Sequence, residues 1–142
     1  NVGNPDSIYS ILSESILRSD SVLKEDGQDR IAALMAAACL IESLHILCTS
    51  YISDSNASPE SQQEKLAAAI IRQRKSVKAV KERLGALPKD KSLEWLMENF
   101  SRLESALNAA NTGQQATDKG LTKRSLDDVT PLVEVIRKYM VR

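Results

Sequence analysis

From Ile31 to Tyr51 the chain reads IAALMAAACLIESLHILCTSY, and the first eleven of these residues carry no charge. As a helix, the stretch is apolar all the way round rather than along one stripe, which demands either burial on most sides or a bilayer. Length leaves both open, since about 20 residues would span. Composition separates them. Five of the first eight residues are alanines, which gain little in lipid, and Glu42 and His45 interrupt the second half. The rest of the chain also offers amphipathic faces that need an apolar partner. The stretch therefore predicts the central, dry helix of a bundle, its alanines admitting close neighbours, and no transmembrane segment.

The remaining helices follow from caps and spacing. In GNPDSIYSILSESILRSDSVLK, Asn4 is an N-cap candidate, Pro5 fits the first turn and Asp6 suits the positive end of the dipole. Tyr9, Leu12, Ile16 and Leu23, with Ile8 beside them, mark one apolar face of a helix over about 5–24, and the polar turn around Gly27 leads to the second helix at 28–52. Ser58 and Pro59 open a third helix, over 59–84, whose seam is Leu66, Ile70, Gln73, Val77, Val80 and Leu84, with Gly85 as a left-handed stop. Asp90 or Ser92 caps a fourth at 91–111, with the seam Leu93, Leu96, Phe100, Leu103, Leu107 and Ala110, flanked by Trp95 and Met97. NTGQQATDKGLTKRS shows no periodicity and predicts a mobile loop at 111–125. Ser125 then caps a last helix at 126–141 with the seam Leu126, Val129, Val133, Ile136 and Met140, and Pro131 either bends it or splits off its first turn. The fold class is thus all-α, an up-and-down bundle of four to five helices in a single domain over 1–142, a length that buries a core without staples.

The net charge of zero hides an uneven spread. Residues 1–64 carry ten acids and three bases, residues 65–91 two acids and nine bases, and the remainder seven of each. Side-by-side packing of acidic and basic helices would neutralise this; left exposed, the basic face of the third helix (Arg72, Arg74, Lys75, Lys78, Lys81) would instead recruit an anionic partner. That face has no interleaved aromatics and the chain has no net positive charge, so nucleic acid is not the expected partner. Cys39 and Cys48 stand nine residues apart on one helix, roughly 13 Å along its axis, too far for a disulfide. A chain that begins at Asn1, without an initiator methionine, is expected to have been processed or trimmed, which leaves its compartment open.

Glu42-x-x-His45 is the one pattern with chemistry in it, because Glu-x-x-His on a bundle helix is half of a di-iron ligand set. The complete set needs a second such pair and two further glutamates. His45 is the only histidine, so one chain cannot supply it. A phosphoacceptor role requires an exposed histidine followed by small and basic residues, whereas Ile46, Leu47 and Cys48 follow. A Cys48–His45 nucleophile lacks an orienting third group, and apolar surroundings should raise the thiol pKa. The expectation is a polar patch of Glu42, His45 and Gln73 in or near the core. The competing reading is a small-ligand or metal site on Glu42 and His45, completed across a dimer.

The run AALMAAACLIESLHILCTSY resembles a segment of uncharacterised helical lipoproteins exported by Gram-negative bacteria. Leu40, Ile41, Glu42, Leu44 and His45 stand at that family's aromatic-Ile-Glu-x-x-Tyr type segment, with Leu40 and His45 at its aromatic positions, and Val133, Ile136 and Arg137 match its C-terminal Val-x-x-Ile-Arg character. The resemblance implies a helical bundle and a cell-envelope or periplasmic location in place of a cytoplasmic one. It implies no reaction. Residues and resemblance together predict a non-enzymatic binding or scaffolding domain without a cofactor or bound metal, whose partner is another protein or a second copy of itself.

Overall fold

The computed structural model describes residues 5–25, 28–53 and 60–141. The cleanest seam in the sequence becomes the spine of the fold. Helix α5 (Lys91–Gln115) starts at Asp90, whose extended backbone (φ −138°, ψ 173°) lets its carboxylate accept from the Leu93 amide at 2.9 Å. From there Leu93, Leu96, Phe100, Leu103, Leu107 and Ala110 all turn inward, the last four fully buried. Helix α6 (Lys119–Met140) lies along it in the most extensive helix pair of the fold, presenting Leu126, Val129, Val133 and Ile136. Each such side chain taken from water contributes roughly 1.5–3 kcal/mol.

Helix α2 (Asp29–Ser53) touches α1, α3, α4 and α6, which makes it the central element. It is long and apolar enough to cross a membrane by length and composition. Its burial, however, is one-sided, which corrects the expectation of burial on most sides. Ala32, Ala33, Ala37, Leu40, Ile41, Leu44 and Cys48 are buried, whereas Ile31, Met35, Ile46 and Ile52 are exposed. A helix can be apolar all round without being enclosed when too few helices surround it. Helix α1 (Pro5–Glu25) packs on α2 and leaves Ile11, Leu12, Leu17 and Val22 more than half exposed, with Ile16 at 41%. Leu12 and Ile16, expected in its buried face, do line the cleft against Ala32, Ala36 and Cys39 of α2 but are not buried there. The proposed caps Asn4, Ser58 and Pro59 and the turn at Gly27 lie outside the described residues, as do the side chains of Ile8, Tyr9 and Leu23.

The third predicted helix is two segments, α3 (Glu60–Arg72) and α4 (Arg74–Gly85). At Gln73 (φ −68°, ψ −10°) the amide bonds the carbonyl three residues back, Ile70 at 3.0 Å, instead of four, while the Gln73 carbonyl still accepts from Val77 at 2.9 Å. The rod stays in register but changes direction, so Ile70 and Ile71 above the bend and Val77, Val80 and Leu84 below it all reach the core. Leu66 stays half-buried. Gly85 is the last residue of α4 and not a left-handed stop; the helix ends by tightening, with Ala86 and Leu87 amides bonding carbonyls three residues back. Counting α3 and α4 as one bent rod, the described residues form five rods, consistent with an all-α bundle.

The expected loop at 111–125 is almost wholly helical. Only Ala116–Asp118 separates α5 from α6. Thr117 takes a left-handed φ of 56°, its amide bonds the Gln114 carbonyl, and the Asp118 amide bonds the Gly113 carbonyl at 2.8 Å, a Schellman stop built on threonine. Asp118 then caps α6, its carboxylate accepting from the Leu121 amide at 3.0 Å. Ser125 is not a cap but a buried residue inside α6. The two helices run past the core at this end, so their polar side chains show no apolar periodicity. Pro131 sits within an unbroken α6; it and Asp127, the residue whose carbonyl loses its usual donor, are both exposed to water.

Candidate functional site

Glu42 and His45 are three residues apart and therefore share a face of α2. That face meets α6, where Glu134 and Arg137 repeat the same spacing in reverse. Arg137 Nε donates to Glu42 Oε1 at 2.7 Å, and the His45 Nδ1–H donates to Glu134 Oε1. The acceptor-only carboxylate sets the tautomer, since Nδ1 must carry the proton. The same antiparallel register continues one step on, where the Cys48 thiol hydrogen-bonds the Thr130 side chain, and then brings Tyr51 under the influence of Asp127. A ladder of three contacts, from Glu42, His45 and Cys48, thus runs up the α2–α6 seam at every third residue of α2.

This arrangement corrects the expected polar core patch. Glu42 is an exposed residue, its side chain 49% accessible, and His45 is half-buried. Gln73 stands at the α3–α4 bend, and among the described residues no hydrogen bond joins it to either of them. The residues that complete the pair are Glu134 and Arg137; the sequence marked Arg137 only through the family resemblance and Glu134 not at all. Half-exposed ion pairs of this kind contribute roughly 0–1 kcal/mol each, so the ladder sets helix register more than it holds the fold together.

The chemistry available here is limited by burial. Cys48 is 3% exposed, and loss of water pushes its thiol pKa up; the Thr130 hydrogen bond opposes this and the Glu134 charge reinforces it. Glu134 supplies His45 with the orienting group that sequence reasoning found lacking, yet a buried, protonated thiol beside a carboxylate is a poor nucleophile. Burial raises the Tyr51 hydroxyl as well, with Asp127 adding to the effect. Among the described residues no three His, Cys, Asp or Glu side chains are grouped to hold a metal ion.

The basic face is divided by the bend. Arg72 ends α3, while Arg74, Lys75, Lys78 and Lys81 belong to α4. Lys81 is half-buried and turns toward α5, its Nζ 3.3 Å from Glu104 Oε1, and Arg74 is also half-buried. Arg72, Lys75 and Lys78 remain exposed. The stripe is therefore narrower than its five residues imply. Comparison with protein-family models, with curated proteins and with solved structures finds no match to this chain.

Proposed function

We propose that this chain is a non-enzymatic binding domain whose contact surface is made of the exposed apolar side chains of α1 and the adjoining side of α2. The observation that carries this reading is the set of exposed apolar side chains Ile11, Leu12, Leu17 and Val22 on α1 with Ile31 and Met35 on α2, all at least 44% exposed, of which Leu12, Leu17 and Met35 line the cleft between the two helices. Single exposed apolar residues are ordinary, but a run of them on one helix and its neighbour marks an interaction surface. The partner is a protein with an apolar contact face and a basic rim, because residues 1–64 carry a net charge of −7. The engagement of Glu42 with Arg137 and of His45 with Glu134 supports giving these residues to helix register rather than to a metal or small ligand. An envelope setting rests on the resemblance of the α2 segment and is tested by fractionating the cells that express the protein.

A photo-crosslinking residue at position 17, in those cells, tests the surface. The expected result is one dominant adduct, lost when Leu12 is changed to Asp and absent when the crosslinker sits at Glu98 on α5. No adduct, or the same pattern from both positions, would refute the assignment. Turnover of any substrate that His45→Ala abolishes would refute the non-enzymatic reading.

A further inference from the structure

At the end of the bundle where α2 and α5 begin and α6 finishes lies a groove of about 580 Å³, within the roughly 300–1,000 Å³ typical of small-ligand sites. Ile31, Leu34, Met35, Leu96 and Met140 make its wall, and Tyr139 closes one side, its ring stacked on Trp95 with centroids 4.1 Å apart. The charged group on this lining is Arg30, with the Ser92 hydroxyl nearby. We propose that the groove binds one acyl chain with a free carboxylate head, the head taken by Arg30 and the tail laid along α2 from Ile31 toward Ala38, a run of about 10 Å. This goes beyond the protein-binding reading above; the groove adjoins that surface and shares Ile31 and Met35 with it.

Three features select this ligand class. An apolar wall with a single guanidinium suits a monoanion with a long tail; a nucleotide or sugar phosphate would need more donors than Arg30 and Ser92 offer. Arg30 already holds a carboxylate, since its Nη2 lies 2.8 Å from Oδ2 of Asp90. That pair is nearly half exposed on both sides, so exchanging one carboxylate for another is close to neutral. Asp90 would not be stranded by the exchange, because its other oxygen keeps the Leu93 amide and with it the cap of α5. Asp90 is in effect a resident competitor for the head group.

Trp95 is the only tryptophan and reports on Tyr139 directly, so titration with decanoate, followed by fluorescence and calorimetry, tests the proposal, with decanol as the uncharged control. Decanoate should bind saturably, one per chain, and change Trp95 emission. Arg30→Gln should weaken decanoate about three- to fivefold. Asp90→Asn, which keeps a capping oxygen, should tighten it by a similar factor. Neither substitution should alter decanol. The proposal is overturned by the absence of a saturable signal, by decanoate affinity indifferent to both substitutions, or by binding seen only with phosphatidylcholine vesicles and not with free decanoate. Such a failure leaves the α1 surface untouched, because crosslinking from position 17 reads that surface independently.

Discussion

Replacing Gly113 with Ala should destabilise the protein, although alanine is the better helix former by roughly 0.8–1.0 kcal/mol. The reason is the closeness of α5 and α6 at the hairpin tip. A Cβ on Gly113 would lie 2.7 Å from Thr122 Oγ1, 2.8 Å from the Thr122 backbone nitrogen and 3.2 Å from the Asp118 carbonyl oxygen. The hydroxyl could rotate away, but the two backbone atoms belong to the first turns of α6 and are fixed by its hydrogen bonds, including Thr122 N–H to the Asp118 carbonyl. Overpacking of this kind costs about 1–3 kcal/mol, and the rigid neighbours place this site in the upper half of that range. Subtracting the propensity gain leaves a loss of about 1–2 kcal/mol. Gly120→Ala provides the contrast, because its Cβ would meet only Asp118 Oδ1, at an ordinary 3.5 Å. It should be neutral or stabilise by up to about 0.5–1 kcal/mol. Urea unfolding at matched slope reads both differences from the midpoints. A Gly113→Ala protein as stable as the parent, or equal losses from the two substitutions, would refute the close-approach argument.

Other consequences can be checked on the same material. Phe100→Ala, at the fully buried centre of α5, should cost about 3–5 kcal/mol, and a loss under about 1.5 kcal/mol would mean the core is looser than described. A double-mutant cycle on Glu42 and Arg137 should give a coupling of about 0.2–1 kcal/mol, reduced by salt; a coupling above about 2 kcal/mol would reveal a buried role for the pair. Native protein should react with a thiol reagent at half-buried Cys39 before buried Cys48, and the reverse order would contradict the packing. Because the folded Cys48 thiol pKa is raised, its contribution to stability is complete below the ordinary thiol value of about 8.5 and is lost as pH rises from there through the folded value, so Cys48→Ala should flatten the alkaline part of the stability profile. Asp90 behaves oppositely: the Leu93 amide and then Arg30 hold its carboxyl below the usual range, so the stability it adds is present above about pH 3.9 and is lost as pH falls through the folded value. Asp90→Asn should lack that acid-dependent part.

Periodicity carried the all-α class, the boundaries of α1 and α2 and nearly every core residue of α5 and α6, while capping chemistry narrowed the start of α5 to Asp90 or Ser92, of which the structure uses Asp90. These are local properties: a cap needs one side chain and one amide, and a seam at spacings of three and four faces a single direction whatever it meets. Where the letters misled, the deciding contact came from another helix. The polar run 111–125 is helical because Gly113 lets α6 approach α5 and because Thr117 accepts a left-handed backbone, neither of which leaves an apolar pattern. Gln73 marks the junction of α3 and α4, where its amide bonds the Ile70 carbonyl, and is not a partner of His45. Glu42 and His45 gained their meaning only when α6 laid Arg137 and Glu134 opposite them in antiparallel register. The exposed side of α2 could not be foreseen either, since composition states how apolar a helix is, while the number of neighbours that cover it is set by the packing of the whole bundle.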